Sequence, residues 1–409
     1  MPIQKGPANL GTGTIDAAEL ASGSVTTAKI ADAAITTAKI ADGAVVTADI
    51  AANAITPAKM ANSGAELGMR NRIINGAMVI DQRNAGASVT NIVGGVYTLD
   101  RYEIRGTQAS KCTVQQSSTA ATGFVNSALV TSSSAYSVVV GDYFVLSQLV
   151  EGTNIADFGW GTASAATVTL SFWVRSSLTG TFGGSLRNSA GNRSYPFSYT
   201  ISAANTWEQK SITIAGDTSG TWLTTTGIGI RIGFGLGVGS TYSGAAGAWS
   251  AANYISATGA TSVVGTNGAT FYITGVQLEV GSTATAFDYK PFGTELQLCQ
   301  RYYEQYNFVG RTSMYGAAQS TSTAECLFRY MVTKRASPTI SVNSYLSYRV
   351  NDWKGGDQQA ASFTVNESDP IQARFQFTKA TANLNTGFVI YMNKEGGQPD
   401  PLLYISAEL

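Results

Sequence analysis

The chain has 409 residues, which is too long for a single hydrophobic core and predicts two or three domains. Charged residues make up only 13%, and 26 Lys and Arg balance 26 Asp and Glu, so no basic field favours nucleic acid or anionic lipid as a partner. The lack of histidine excludes the commonest general base and metal ligand. The 44 glycines, with abundant Ser, Thr, Val and aromatic residues, favour mainly β structure with tight turns.

The N-terminal segment, residues 1–12, lacks the apolar stretch of a signal peptide, and the chain has no apolar run of about 18 residues. The three cysteines, Cys112, Cys299 and Cys326, lie far apart and outside any CxxC spacing. This pattern favours buried free thiols over a disulfide framework or a zinc site. We therefore expect synthesis and folding in a reducing cytoplasm, and no insertion into a membrane.

Residues 13–62 consist of five ten-residue blocks: GTIDAAELAS, GSVTTAKIAD, AAITTAKIAD, GAVVTADIAA and NAITPAKMAN. Position three of each block is β-branched and position eight is a large apolar residue. These ten residues are Ile15, Leu20, Val25, Ile30, Ile35, Ile40, Val45, Ile50, Ile55 and Met60. One apolar residue in every five fits neither a helix nor a strand. A capping residue at position four of four of the five blocks, and Gly or Asn at several block starts, predict one short helical turn plus an extended link.

A unit of this length is too short to be stable alone, and two apolar side chains per block make no core. We therefore predict a repeat shaft over residues 13–62, in which parallel identical chains point these ten residues at a common axis. Three chains are the commonest way to close such a rod, although the spacing does not count them. A disordered Ala and Thr linker is the alternative.

Residues 63–291 contain strand-like runs in which apolar and polar residues alternate. In VTLSFWVR, Val168 and Phe172 fall on one face, and Trp173 and Arg175 fall on the other. This alternation is typical of a strand with a core side and an outer side. Several such runs bounded by Gly, Ser and Asn predict a β-sandwich.

Residues 292–409 begin with a helical pattern and then return to short strands. Thr294 and Gln297 match a capping box and predict a short helix from about Glu295 to Tyr303. We expect the apolar residues of this helix to pack between domains. The later runs, with turn signals such as EGGQPDP, predict a second, smaller β-sandwich.

Several segments resemble known families. SFWVRSS, GSLRNSAGNRSYPFSYTI, NTWEQKSITIAG and FYITGVQLEVGSTATAF resemble the jelly-roll sandwich of carbohydrate-binding modules. RNRIINGAMVIDQRNAG, YTLDRYEI and GVQLEVGSTATAFDYKPFGTELQLCQRYYE resemble the receptor-binding region of bacteriophage tail fibres. Decads of the TTAKIAD type are common in the shafts of the same proteins. The resemblance implies a homotrimeric virion fibre protein in which residues 1–12 dock on other virion proteins and residues 63–291 form a jelly roll.

Candidate glycan contacts follow from the chemistry of sugar recognition, which uses aromatic rings against sugar faces and polar groups against hydroxyls. Trp173 lies opposite the apolar face of its strand. Trp249 lies in a loop rich in Gly, Ala and Ser, flanked by Tyr242 and Tyr254. These four residues are the predicted carbohydrate-binding residues, and core packing is the alternative for each tryptophan.

No cofactor is expected, apart from a structural calcium ion. Likeness to jelly-roll modules implies Asp100 and Glu279 as its possible ligands, because Ca²⁺ binds several oxygens. The alternative is that these carboxylates form ordinary ion pairs with Arg101 or Arg105.

We expect no enzymatic activity. Asp217, Glu304 and Asp357 form no recognisable pair of catalytic carboxylates. The GxGxxG-like run in GIRIGFGLGVGS alternates as a strand, which disfavours phosphate binding. The predicted function is adhesion of a phage fibre to a host-surface polysaccharide. The alternatives are a capsid-anchored head fibre or decoration protein, a polysaccharide-degrading tailspike or esterase, and a bacterial surface adhesin.

Overall fold

A computed structural model describes residues 70–90, 92–308, 314–352, 358–387, 389–395 and 397–409. Gly68–Leu409 form one compact unit. The predicted docking segment, residues 1–12, and the ten predicted shaft residues within 13–62 lie outside the described residues. The repeat shaft and the homotrimer therefore stay predictions.

The described residues are mainly β, as predicted, and they contain two modules. The jelly-roll module, residues 70–291, contains β1 (Val96–Tyr97), β2 (Tyr102–Gly106), β3 (Cys112–Ser117), β4 (Ser127–Ser132), β5 (Tyr143–Glu151), β6 (Val168–Ser176), β7 (Gly180–Arg187), β8 (Ser194–Ile201), β9 (Glu208–Ile214), β10 (Ile228–Val238), β11 (Ser243–Gly244), β12 (Ser256–Ala257) and β13 (Thr270–Val280). Its 3₁₀ helices are Gly152–Phe158 and Ser240–Tyr242.

The C-terminal module, residues 292–409, begins with the α-helix and continues with nine strands in its described part. Its elements are α1 (Phe292–Gln300), β14 (Tyr303–Asn307), β15 (Met314–Ala318), β16 (Thr323–Arg329), β17 (Thr339–Val342), the 3₁₀ helix Tyr345–Ser347, β18 (Tyr348–Asp352), β19 (Gln358–Ser368), β20 (Gln372–Lys379), β21 (Val389–Lys394) and β22 (Leu402–Ser406).

Two antiparallel sheets form the jelly-roll module. Their strand orders are β1-β2-β5-β10-β7-β8 and β3-β4-β13-β6-β9. The chain passes back and forth between the sheets, so that the set β4-β13-β6-β9 faces the set β5-β10-β7-β8. This order of eight strands is that of two interleaved Greek keys, a jelly roll. The sequence prediction of a jelly-roll sandwich is therefore confirmed.

The core of this module lies between the two sheets. On β6, Val168 and Phe172 are fully buried in it, whereas Trp173 and Arg175 are only half-buried on the outer face. Each fully buried aliphatic or aromatic side chain stabilises the fold by about 1.5–3 kcal/mol. Alternation in the sequence therefore predicted the inner and outer sides of this strand.

The helix begins earlier than predicted. α1 starts immediately after Pro291, whose extended backbone places its carbonyl to accept the N–H of Glu295 at 3.0 Å. No side chain caps this end. Thr294 is inside the helix, so the predicted capping box is wrong. Proline fixes its own φ and lacks an N–H donor, which makes it compatible with a helix start.

The helix packs between the two modules, as expected. Cys299 and Tyr302 are fully buried, and they form a small apolar cluster with Ile74 and Ile80 of the jelly-roll module. All three cysteines of the chain are buried free thiols. No described helix is long and apolar enough to cross a membrane.

The predicted second sandwich is wrong, because most strands of the C-terminal module close into a barrel. The barrel order is β15-β16-β20-β19-β18-β21, and β15 pairs with both β16 and β21. A separate sheet has the order β14-β22-β17. Closure removes the exposed edges of the six strands, and side chains such as Phe375 and Phe377 fill the interior. Strands of a barrel and of a sandwich alternate in the same way, so the sequence pattern did not distinguish them.

Candidate ligand-binding site

Residues 239–265, here called the covering segment, lie across the outer face of the six-stranded sheet. β11 and β12 pair within it, and Ser250 bridges to Ser194 of β8. A Cβ on Gly183 or Gly235 would lie 2.5 or 2.6 Å from the hydroxyl oxygen of Ser256. Because Gly183 and Gly235 have no side chain, the covering segment packs directly against the backbone of the strands.

A pocket of about 240 Å³ lies beside the covering segment and is here called the arginine pocket. Its lining residues are Arg105, Tyr143, Arg187, Ser189, Ala190, Gly191, Arg231, Tyr242, Asn253 and Ile255. Tyr143 and Tyr242 meet edge to face, with ring centroids 5.2 Å apart. The sheet thus provides the floor of the pocket, and the covering segment provides one wall.

Two arginines of the pocket stand directly opposite each other in the sheet. Arg187 of β7 and Arg231 of β10 are register partners, and like charges in this relation destabilise a sheet. Arg105 reaches the same pocket from β2, where its Nε donates to Glu103 at 2.9 Å. No acidic residue lines the pocket within the described part of the chain. The pocket is therefore positively charged.

Burial makes the positive charges of Arg187 and Arg231 more costly. Burial and the nearby Arg231 lower the pKa of Arg187 to about 10. Burial also lowers the pKa of Arg231. With a pKa of about 10, the guanidinium of Arg187 is still charged at neutral pH.

Hydrogen bonds fix the rim of the pocket. One Nη of Arg187 donates to the amide oxygen of Asn253 at 2.9 Å. The side-chain oxygen of Asn188 accepts the backbone N–H groups of Asn192 and Arg193, both at 3.1 Å. These two hydrogen bonds therefore fix the turn that contains Ser189, Ala190 and Gly191.

The structure places one predicted carbohydrate-binding residue, Tyr242, in the pocket. Tyr254 lies next to the pocket residues in sequence, but its ring packs on the backbone of Gly244. The four predicted residues do not come together in one site.

Trp249 belongs to an aromatic cluster at the edge of the core. Its ring centroid lies 5.2 Å from Trp160, 5.3 Å from Trp222 and 5.2 Å from Tyr195. Its indole N–H donates to the carbonyl of Ala215 at 2.7 Å. These contacts favour a structural role for Trp249.

Trp173 lies on the outer face of the five-stranded sheet, on the other side of the module. Its register partners are Gln209 and Thr274. On the same face, Arg175 lies 4.9 Å from the ring centroid of Tyr272. This face combines aromatic and polar groups. A glycan contact at Trp173 stays a prediction.

The two predicted calcium ligands accept hydrogen bonds at separate places. Asp100 accepts the backbone N–H of Gln82 at 2.9 Å, and burial raises its pKa to about 6. Glu279 accepts the backbone N–H and the hydroxyl of Thr285 at 2.9 and 2.6 Å. No group of three or more acidic or thiol side chains suited to a metal occurs in the described ranges. A structural calcium ion at Asp100 or Glu279 stays a prediction.

The alternative pairing of these carboxylates with arginine is not found either. Arg101 pairs with Glu408, and Arg105 pairs with Glu103. Both Asp100 and Glu279 are buried, and each is held by neutral donors. Their arrangement favours a structural role.

Sequence reasoning missed the three pocket arginines. A signal was present, because YEIRG, GSLRNS and GIGIRIGFG each place one Arg beside apolar or Gly residues, at an outward position of a strand. The alternation predicts that each side chain points outward. It does not predict that β7 and β10 are neighbours, which is what brings Arg187 and Arg231 together.

No protein-family model matches this chain, and no curated protein matches its sequence. Similar solved structures include a phage tailspike domain and carbohydrate-binding modules. The enzymatically active domain of tailspike protein 4 from bacteriophage CBA120 is 15% identical over 52% of this chain, with a TM-score of 0.29, and this chain spans only 22% of that structure. The module TmCBM61, solved with β-1,4-galactotriose, is 12% identical, with coverage of 52% of this chain and 100% of that one and a TM-score of 0.27. A xylan-binding domain from Paenibacillus barcinonensis is 12% identical, with coverage of 49% and 99% and a TM-score of 0.22.

Proposed function

We propose that the protein is a bacteriophage virion fibre that binds a host-surface glycan in the arginine pocket. The observation that carries the proposal is the composition of this pocket. Tyr143 and Tyr242 offer ring surface, and Arg187 and Asn253 offer hydrogen-bonding groups next to it. Aromatic rings against the apolar faces of a sugar, with a few polar groups for its hydroxyls, are what a glycan site requires.

The repeats in residues 13–62 support the fibre part of the proposal. A shaft of three parallel chains would present three copies of the pocket to the same cell surface. Multivalent attachment raises the apparent affinity by a factor of about 10²–10⁴ when the geometry allows simultaneous binding. Residues 1–12 would attach the shaft to other virion proteins, and the protein would be part of the virion.

The test is a binding measurement with the full chain on a glycan array and on host cells. We expect wild-type protein to bind, and Tyr242→Ala to bind about tenfold more weakly, because a stacking ring is lost. Tyr315→Ala, which removes an exposed ring of the C-terminal barrel, is the matched control and should bind like wild type. Unchanged binding by Tyr242→Ala, with loss in Trp173→Ala, would move the site to the other face.

The proposed function is binding without catalysis. Asp217 is held by Arg193 in a two-pronged ion pair at 2.6 and 2.7 Å, and Glu304 forms a buried ion pair with Lys334. Asp357 lies outside the described residues. The engagement of Asp217 and Glu304 supports the proposal, since a catalytic pair needs a free acid and base. New reducing ends after incubation with host polysaccharide would contradict it and favour a degrading tailspike.

A capsid-anchored head fibre or decoration protein is the second candidate, because it would use the same shaft and the same modules. Antibody against the C-terminal module, viewed on whole virions, separates the two by the place it labels. Label at the tail supports a tail fibre, and label on the capsid supports the second candidate.

A further inference from the structure

We infer that the arginine pocket is specific for an acidic sugar, whose carboxylate binds between Arg187 and Arg231. This inference rests on the proposed glycan-binding function and names the class of sugar. A neutral glycan would need rings and hydroxyl partners only. The pocket contains, in addition, positive charge that the fold itself does not use.

The first argument is the balance of charge. Three guanidinium groups, of Arg105, Arg187 and Arg231, converge on the pocket. The nearby acidic side chain is Glu103, and it already accepts hydrogen bonds from Arg105 and from Ser147. Placing Arg187 directly opposite Arg231 costs stability, so a bound anion is the natural compensation.

The second argument is the unused hydrogen-bonding capacity of the two arginines. No described residue accepts a hydrogen bond from the side chain of Arg231, and the Nε of Arg187 is buried without an acceptor. A buried donor without an acceptor is costly. A carboxylate accepts two parallel N–H bonds from one guanidinium, so it matches both groups in geometry and in charge.

The third argument concerns what carries the carboxylate. Tyr143, Tyr242 and Ile255 line the same pocket and offer apolar surface beside the charge. A small inorganic anion would leave this surface unused. A pyranose ring that bears a carboxylate would contact both the apolar surface and the arginine side chains. The zero net charge of the chain disfavours nucleic acid as the anionic partner.

The experiment uses the full chain and three acidic probes, the methyl glycosides of glucuronic acid, galacturonic acid and N-acetylneuraminic acid. Each is compared with its neutral methyl ester by saturation-transfer NMR and calorimetry. We expect at least one acid to bind, and its ester to bind about tenfold more weakly or not at all, because the charged contact is lost. Raising the salt from about 50 to about 500 mM should weaken binding of the acid and leave any binding of the ester unchanged.

The variants are Arg231→Gln and Arg187→Gln, with Arg175→Gln on the opposite sheet as the matched control. Arg231→Gln should bind the acidic probe about tenfold more weakly and should melt at the same temperature as wild type or higher, because a like-charge pair is removed. Arg187→Gln should also weaken binding. Arg175→Gln should leave binding of the probe unchanged. A sharp fall in the melting temperature of Arg231→Gln would give this side chain a structural role and would overturn the inference.

The outcomes separate this inference from the proposed function. If neutral glycans bind and the acids bind no better than their esters, the inference is wrong and glycan adhesion stands. If sulfated or phosphorylated sugars bind and the three carboxylate sugars do not, the carboxylate assignment is wrong. If wild-type protein binds no glycan on the array and none of the probes, both are wrong.

Discussion

Arg101 is among the largest fully buried side chains of the described residues, with 1% of its surface exposed. It forms an ion pair with Glu408, and its guanidinium carbon lies 3.5 Å from the ring centroid of Tyr302. Glu408 also pairs with Arg83 at 2.8 Å. This cluster of largely buried charges therefore joins the jelly-roll module to the end of the C-terminal module.

Removal of the Glu408 side chain should reduce the stability of the protein far more than removal of an exposed carboxylate. Glu408→Ala leaves the charge of Arg101 buried without its partner, which should reduce the free energy of unfolding by about 3–5 kcal/mol. Urea unfolding measures this loss. The control is Glu367→Ala, where a carboxylate that is 69% exposed pairs with Arg374 at 3.4 Å. A surface pair of this kind contributes at most about 1 kcal/mol. Equal losses in the two variants would contradict the role assigned to Glu408.

The covering segment is the element on which the arginine pocket depends. It brings Tyr242 and Asn253 to the sheet, and it approaches the strands over Gly183 and Gly235. Glycine inside a strand weakens the strand itself, so its use here has a structural purpose. The sheet loses side-chain packing at these positions and gains a fixed wall for the pocket.

Gly235→Ala tests this dependence. The new Cβ would lie 2.6 Å from the hydroxyl oxygen and 2.9 Å from the Cβ of Ser256, so the covering segment must shift outward. We expect a loss of about 1–3 kcal/mol in stability from overpacking, together with weaker glycan binding. Gly141→Ala is the control, because its added methyl group would meet nothing within 4 Å. If Gly235→Ala bound glycan as wild type does, the segment would not position the pocket.

Local sequence patterns predicted the parts of the fold that depend on near neighbours. The two faces of β6 followed from the alternation around Phe172 and Trp173, because a strand repeats every two residues. The start of α1 was missed because a capping-box match at Thr294 competed with a proline at Pro291, and the proline determines the helix start.

Long-range pairing was not predictable in the same way. Closure of the barrel requires β15 to pair with β21, and the arginine pocket requires β7 to pair with β10. Both pairings join strands that are far apart in the chain. Single strands carry no signal for their neighbours, so the barrel was predicted as a sandwich and the pocket arginines were not selected.

The proposed fibre would act through the number of its pockets as well as through their chemistry. Removal of residues 1–62 would leave the compact unit Gly68–Leu409 without the predicted shaft. We expect the mass in light scattering to fall from a trimer to a monomer, and the apparent affinity for host cells to fall about 10²-fold or more, because avidity is lost. If both mass and affinity stayed at their wild-type values, the shaft would have neither role.

The three buried thiols have a practical consequence for studies of unfolding. Cys112 lies in the core of the jelly-roll module, Cys299 in the helix between the modules, and Cys326 in the barrel. Burial raises the pKa of Cys112 and of Cys326 to about 12, and it raises the pKa of Cys299 as well. A protonated, buried thiol does not react with alkylating reagents until its surroundings open. The rate of alkylation at each cysteine therefore reports the opening of one part of the protein, without any engineered label.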